Sequence, residues 1–96
     1  MDKYQKGLEC FIELCLSTKD KKTASLLFDL FLTPEERTDL AMRFFIVKEL
    51  LQEEKTQRQI AKDLNVSIAK ITRGSNELKR IDRKLLTYLK RRFFYA

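Results

Sequence analysis

The 96-residue chain has no histidine and no tryptophan, one proline, two glycines and two cysteines. Each shortage excludes something. Without histidine the commonest general base and metal ligand are gone. The remaining residues offer no nucleophile–base pair and no metal-ligand cluster, so neither an enzyme nor a metal site is expected. Cys10 and Cys15 stand five apart on one predicted helix and point in different directions, which argues against an internal disulfide or a four-ligand zinc site. Cys15 continues a stripe of Tyr4, Leu8 and Phe11 and is expected to be a buried small apolar residue. Such sparing use of cysteine suits the cytoplasm. There is no apolar run of the ~18 residues that a membrane span requires, and the first helix is not expected to follow a signal peptide. With little glycine or proline to shape turns and strands, and abundant Leu, Lys, Arg, Glu and Ala, the chain is expected to be nearly all helix.

What is present is charge, unevenly placed. The net charge is +6, but Met1–Glu54 holds 8 Lys+Arg against 11 Asp+Glu, a balance of −3, while Lys55–Ala96 holds 12 against 3, a balance of +9. A basic half of this kind is the electrostatic footprint expected for phosphate. It would also suit an anionic membrane surface.

From the start, Asp2–Ser17 reads as an amphipathic helix ended by the polar run STKDKK. Thr23 is expected to cap the next segment, ASLLFDLFL, which is apolar on almost every side. A helix of that composition must be enclosed by others, and a domain of this size can bury only a modest part of its surface alone. An interwoven dimer answers both demands. TPEERTDLAMRFFIVKELLQEE follows, with Thr33 as cap, Pro34 at the first helical position and Glu36 closing a capping box. Asp82 is the expected cap of a last helix packed through Leu85, Leu86, Leu89 and Phe93. The basic Lys90, Arg91 and Arg92 there are read either as contacts to flanking phosphates or as a solvated end.

Thr56–Lys79 organises the rest. Thr56 and Gln59 form a second capping box ahead of a short helix carrying Ile60, Ala61 and Leu64. Asn65 tolerates a left-handed turn and Ser67 caps the next helix. This spells a helix-turn-helix. On its second helix Ile68, Ile71, Ser75 and Leu78 make a packing stripe, and Ala69, Thr72, Arg73 and Asn76 make a face of small and hydrogen-bonding side chains suited to base edges. The same face could simply be solvated, as on any amphipathic helix.

Two residues break their local pattern. Arg43 falls inside the apolar arc between Val47 and Leu50, so its guanidinium needs an anion, an aromatic face or a path to water. Gly74 sits in mid-helix at a cost of ~1 kcal/mol relative to Ala. Close helix packing or a ligand against the backbone would each account for it, and Arg73 beside it could reach the same ligand.

With these residues in view, the chain resembles the bacterial tryptophan repressor family. The resemblance rests on LTPEER, on the RxxIVxELL pattern of Arg43–Leu51, on TQR at Thr56–Arg58 and on IAKITRGSNELK at Ile68–Lys79, and it spans roughly Leu30–Lys79. It implies an all-α, six-helix chain forming an intertwined homodimer with helix-turn-helix reading heads. The single domain 1–96 would comprise dimerisation core helices (1–54), the helix-turn-helix (55–80) and a C-terminal helix (81–96). L-Tryptophan would be the regulatory ligand, with no other cofactor. By matching position Arg43 and Arg73 would sandwich the indole, and Arg73 and Thr33 would hold the carboxylate. The carbonyls of Leu30 and Leu32 would accept from the ammonium, and Gly74 would let the ring approach. Gln57, Arg58, Ile68, Ala69, Thr72 and Arg73 would meet DNA, Arg58 reading guanine.

The implied function is a tryptophan-activated repressor of genes for tryptophan biosynthesis or salvage, acting on a palindromic operator. The alternative is a ligand-independent regulator of the same fold. Three departures bear on the choice. Glu77 stands where the family often has a serine near the ammonium, Ala61 replaces a basic residue, and Asn65-Val66-Ser67 replaces a glycine-rich turn. A carboxylate at 77 could pair with the ammonium or face solvent, and a turn without glycine should stiffen the reading head. Because the chain lacks tryptophan, indole fluorescence would report ligand alone.

Overall fold

A computed structural model describes residues 2–95, which form six α-helices and, among those residues, no strand. They are α1 (Lys3–Ser17), α2 (Lys21–Phe31), α3 (Pro34–Gln52), α4 (Gln57–Leu64), α5 (Ile68–Leu78) and α6 (Arg83–Phe94). The chain divides into two units, Met1–Thr38 and Asp39–Ala96.

In the first unit the helix starts are set by short polar side chains. Asp2 caps α1 by accepting from the Tyr4 and Gln5 N–H groups at 2.9 Å each. α2 begins earlier than Thr23, the expected cap, because Asp20 takes that role. Its carboxylate accepts the Thr23 N–H at 2.7 Å and the Thr23 hydroxyl at 2.9 Å, and an anion suits the positive end of a helix better than a hydroxyl. Those bonds, the backbone one first, hold the Asp20 carboxyl below its ordinary range. The Thr33–Glu36 capping box forms as expected, with reciprocal bonds of 2.9 and 3.1 Å. Phe11 packs edge-on against Phe28 and Phe31, at centroid distances of 6.1 and 5.1 Å. Neither α1 nor α2 carries a buried residue, and Tyr4, Leu8, Leu16 and Leu30 are each more than 60 % exposed. Cys15, expected to be buried, is only half-buried on this sparsely covered helix.

The second unit has the core. Ile46 of α3, Ile60 and Ala61 of α4 and Ile71 of α5 are buried together, with Met42, Leu50, Leu64 and Val66 packed around them. α4 opens with the Thr56–Gln59 capping box and ends at Asn65, whose φ of 54° and ψ of 48° are left-handed. The Val66 N–H then closes the turn on the Ala61 carbonyl at 3.0 Å. Ser67 caps α5. A second left-handed residue, Glu53 with φ 57°, follows α3 without any glycine to announce it. Across that loop Lys55 reaches Asp63 at 2.9 Å and Glu49 at 3.4 Å. At the end of the chain Asp82 caps α6, and Phe93 meets Phe44 edge-on at 5.5 Å.

Candidate functional site

α3, α5 and α6 border a cavity of about 590 Å³ within the second unit, inside the usual range for a small-molecule site. Four expected ligand residues line it together: Arg43, Arg73, Gly74 and Glu77. Arg43 and Arg73 are exposed, and neither guanidinium has an ion-pair partner among the described residues. The Arg43 anomaly thus resolves as a side chain that borders open space, not a charge forced into the core. Glu77 is also loosely held. Its only described partner is Arg80 at 3.8 Å, with both side chains well exposed, a contact worth little.

Sequence reasoning missed two further charges on the same wall, Lys70 and Asp39. Lys70 was legible, because it lies four residues before Gly74 and three before Arg73 and therefore shares their helical face. Asp39 was not, since its place depends on how α3 crosses α5. Apolar side chains make up the rest of the lining, among them Met42, Ile46 and Val47 from α3 and Leu85 and Leu89 from α6. Leu85 and Leu89, expected to pack α6, thus also face the chamber. The result is an apolar chamber with cations and carboxylates at its border.

Gly74 serves packing as well as the cavity. A Cβ built there would stand 3.0 Å from Ile46 Cγ2 and 3.3 Å from Leu50 Cδ1. The missing side chain is what lets α5 approach α3 so closely.

The other expected ligand residues belong to the first unit. Leu30 is 75 % exposed, and Thr33 is engaged in its capping box. The Leu32 carbonyl already accepts from Arg37 Nη1 at 2.9 Å, and Arg37 also pairs with Asp29.

The expected DNA residues fall on α4 and α5. Arg58, Ile68, Ala69, Thr72 and Arg73 are exposed, and Gln57 is half-buried. Ile68 corrects the expected packing stripe: it is 47 % exposed, while Ile71 beneath it is fully buried. At the first position of α5, Ile68 projects beyond the core that Ile71 enters. Gln57 and Thr72 are joined directly, the threonine hydroxyl donating to Gln57 Oε1 at 2.9 Å.

An all-helical chain with a basic second half and a short helix exposing small, polar and cationic side chains has the makings of a DNA-binding transcriptional regulator. Comparison with known proteins makes the assignment specific. Residues 6–92 match the family model described as Trp repressor protein. The chain is 50% identical over 86 residues to a Trp operon repressor homolog of Chlamydia caviae, covering 90% of this chain and 85% of that one. It is 44% identical over 87 residues to the homolog of Chlamydia trachomatis serovar D (91% and 93% covered), and 46% over 74 residues to that of Vibrio campbellii (77% and 74%). The chain belongs to the Trp repressor family, whose members are transcriptional repressors and not enzymes. Among the described residues no helix is long and apolar enough to cross a membrane.

Proposed function

We propose that the protein is a homodimeric repressor that takes L-tryptophan as co-repressor, binds a palindromic operator in that state, and blocks transcription of tryptophan biosynthesis or salvage genes. The observation that carries this reading is the pair of unpartnered guanidiniums, Arg43 and Arg73, bordering one apolar chamber with Glu77 and Gly74. An indole between two guanidinium planes gains cation–π attraction from both. A zwitterion also suits a border carrying charges of both signs. The parts of Thr33, Leu30 and Leu32 rest on the family resemblance.

Arg73 links the two activities. It lines the chamber from α5, the helix whose outer face also carries Ala69 and Thr72. A ligand stacked on Arg73 therefore acts on the same helix that meets DNA. Linkage requires the converse, that operator DNA tighten tryptophan binding by the same factor. The exposed apolar side chains of α1 and α2 support the homodimer, since a second copy would remove them from water. Two reading heads held about one helical turn apart would then fit successive major grooves.

Gel shifts on operator DNA with and without L-tryptophan, paired with calorimetry on the purified protein, test the proposal. Tryptophan-dependent retardation and saturable binding are expected. Equal operator binding in both conditions would leave a ligand-independent regulator and defeat the co-repressor reading.

A further inference from the structure

The Gln57–Thr72 hydrogen bond is unlike the other threonine contacts in the chain. Thr38 and Thr87, both within helices, turn their hydroxyls back onto the carbonyl four residues earlier, at 3.1 Å each. That is the ordinary local resort of a helical threonine. Thr72 instead donates across the turn to Gln57 Oε1, fifteen residues away, tying the first position of α4 to the middle of α5. The bond also orients the amide. With Oε1 turned onto the Thr72 hydroxyl, the end of Gln57 turned away from it is the nitrogen, which carries two donors and no acceptor.

An unconstrained glutamine can read adenine with both ends, accepting from N6 and donating to N7. We propose that Thr72 is a positioning residue that fixes Gln57 as a hydrogen-bond donor toward DNA, so that the atom it meets is an acceptor. Guanine O6 or N7, adenine N7, thymine O4 and a phosphate oxygen have that chemistry, whereas the amino groups of cytosine and adenine do not. This inference rests on the reading of α4 and α5 as the DNA-reading pair.

The test compares the parent with Gln57→Glu, Gln57→Met, Thr72→Val and Thr72→Ser, in L-tryptophan, against a library of operator variants, with thermal melts alongside. Gln57→Glu keeps an oxygen for Thr72 and loses the donor. Its melting temperature should hold while operator affinity falls about five- to tenfold, the scale of one hydrogen bond. Gln57→Met, uncharged and also without a donor, should lose as much, which separates the lost bond from charge repulsion. Thr72→Val should let the amide turn and lower operator affinity, with a relaxed preference at one base pair where the partner is a base, and Thr72→Ser should restore the parent profile. A loss confined to operators with an acceptor at one position assigns a base, and an even loss on every sequence assigns a phosphate. Parent-like affinity and base preference in Gln57→Glu or Gln57→Met overturn the inference, as does a Thr72→Val variant altered only in its melt. A parent protein that binds no DNA with tryptophan present defeats the repressor reading itself, before any variant is consulted.

Discussion

Replacing Gly74 by alanine sets two well-calibrated effects against each other. In an exposed helix interior the change should stabilise by ~1 kcal/mol, because alanine loses less backbone entropy. Here the new Cβ would stand 3.0 Å from Ile46 Cγ2 and 3.3 Å from Leu50 Cδ1, against an optimum of roughly 3.5–4.0 Å for carbon pairs. Leu50 is half-buried and meets the Cβ with the tip of a flexible side chain, so it can swing aside. Ile46 cannot. It is 4 % exposed, packed with Ile60 and Ile71, and β-branched side chains are stiff at χ1. Overpacking of such a site costs ~1–3 kcal/mol, so the net expectation is a loss of about 1 kcal/mol, or a fall of roughly 4–8 °C in melting temperature for a domain of this size. Ile46→Leu removes the offending methyl at nearly constant volume and should cost under ~1.5 kcal/mol alone. The double variant should then be more stable than the sum of the single effects by at least ~1 kcal/mol. Urea unfolding at one fixed protein concentration, needed because a dimer's stability depends on concentration, measures all four proteins. A Gly74→Ala variant ~1 kcal/mol more stable than the parent, or strictly additive singles, would refute the close approach of α5 to α3.

Arg43→Ala should leave the helical fold intact and weaken L-tryptophan binding by ~1–2 kcal/mol. Calorimetry giving the parent affinity would show that the guanidinium does not face the ring. Arg58→Ala should spare tryptophan binding but relax operator choice at one guanine by ~1–3 kcal/mol, and an unchanged preference in a binding-site selection would count against direct readout. Glu36 sits below the ordinary carboxylate range, chiefly because the Thr33 N–H donates to it and secondarily because of the Thr33 hydroxyl. A lowered folded-state pKa contributes stability above the unfolded value that is lost as pH falls through the folded one, and Asp20 behaves alike. The Asp20→Asn, Glu36→Gln double variant should therefore show a shallower fall of melting temperature below about pH 5. A slope equal to the parent's would mean that the caps are not charged acceptors.

How much was legible depended on distance along the chain. The capping boxes at Thr33–Glu36 and Thr56–Gln59, the left-handed Asn65 and the caps Ser67 and Asp82 all appear where the residues called for them. Capping and tight turns are settled within three or four residues, so a local reading suffices. Even there, competition between neighbours could mislead. Asp20 took the cap expected of Thr23 because a carboxylate outbids a hydroxyl at a helix start.

Family membership and helical class were also determined by the residues themselves. The tertiary structure alone decided that Asp39 of α3 shares a chamber with Lys70, Arg73 and Glu77 of α5, that Gly74 is pressed by Ile46, and that Thr72 bonds Gln57 fifteen residues away. Periodicity says which face of a helix a side chain occupies. Which face of another helix it meets depends on the crossing of α3, α4 and α5 around their shared isoleucines, and no spacing within a single helix encodes that angle.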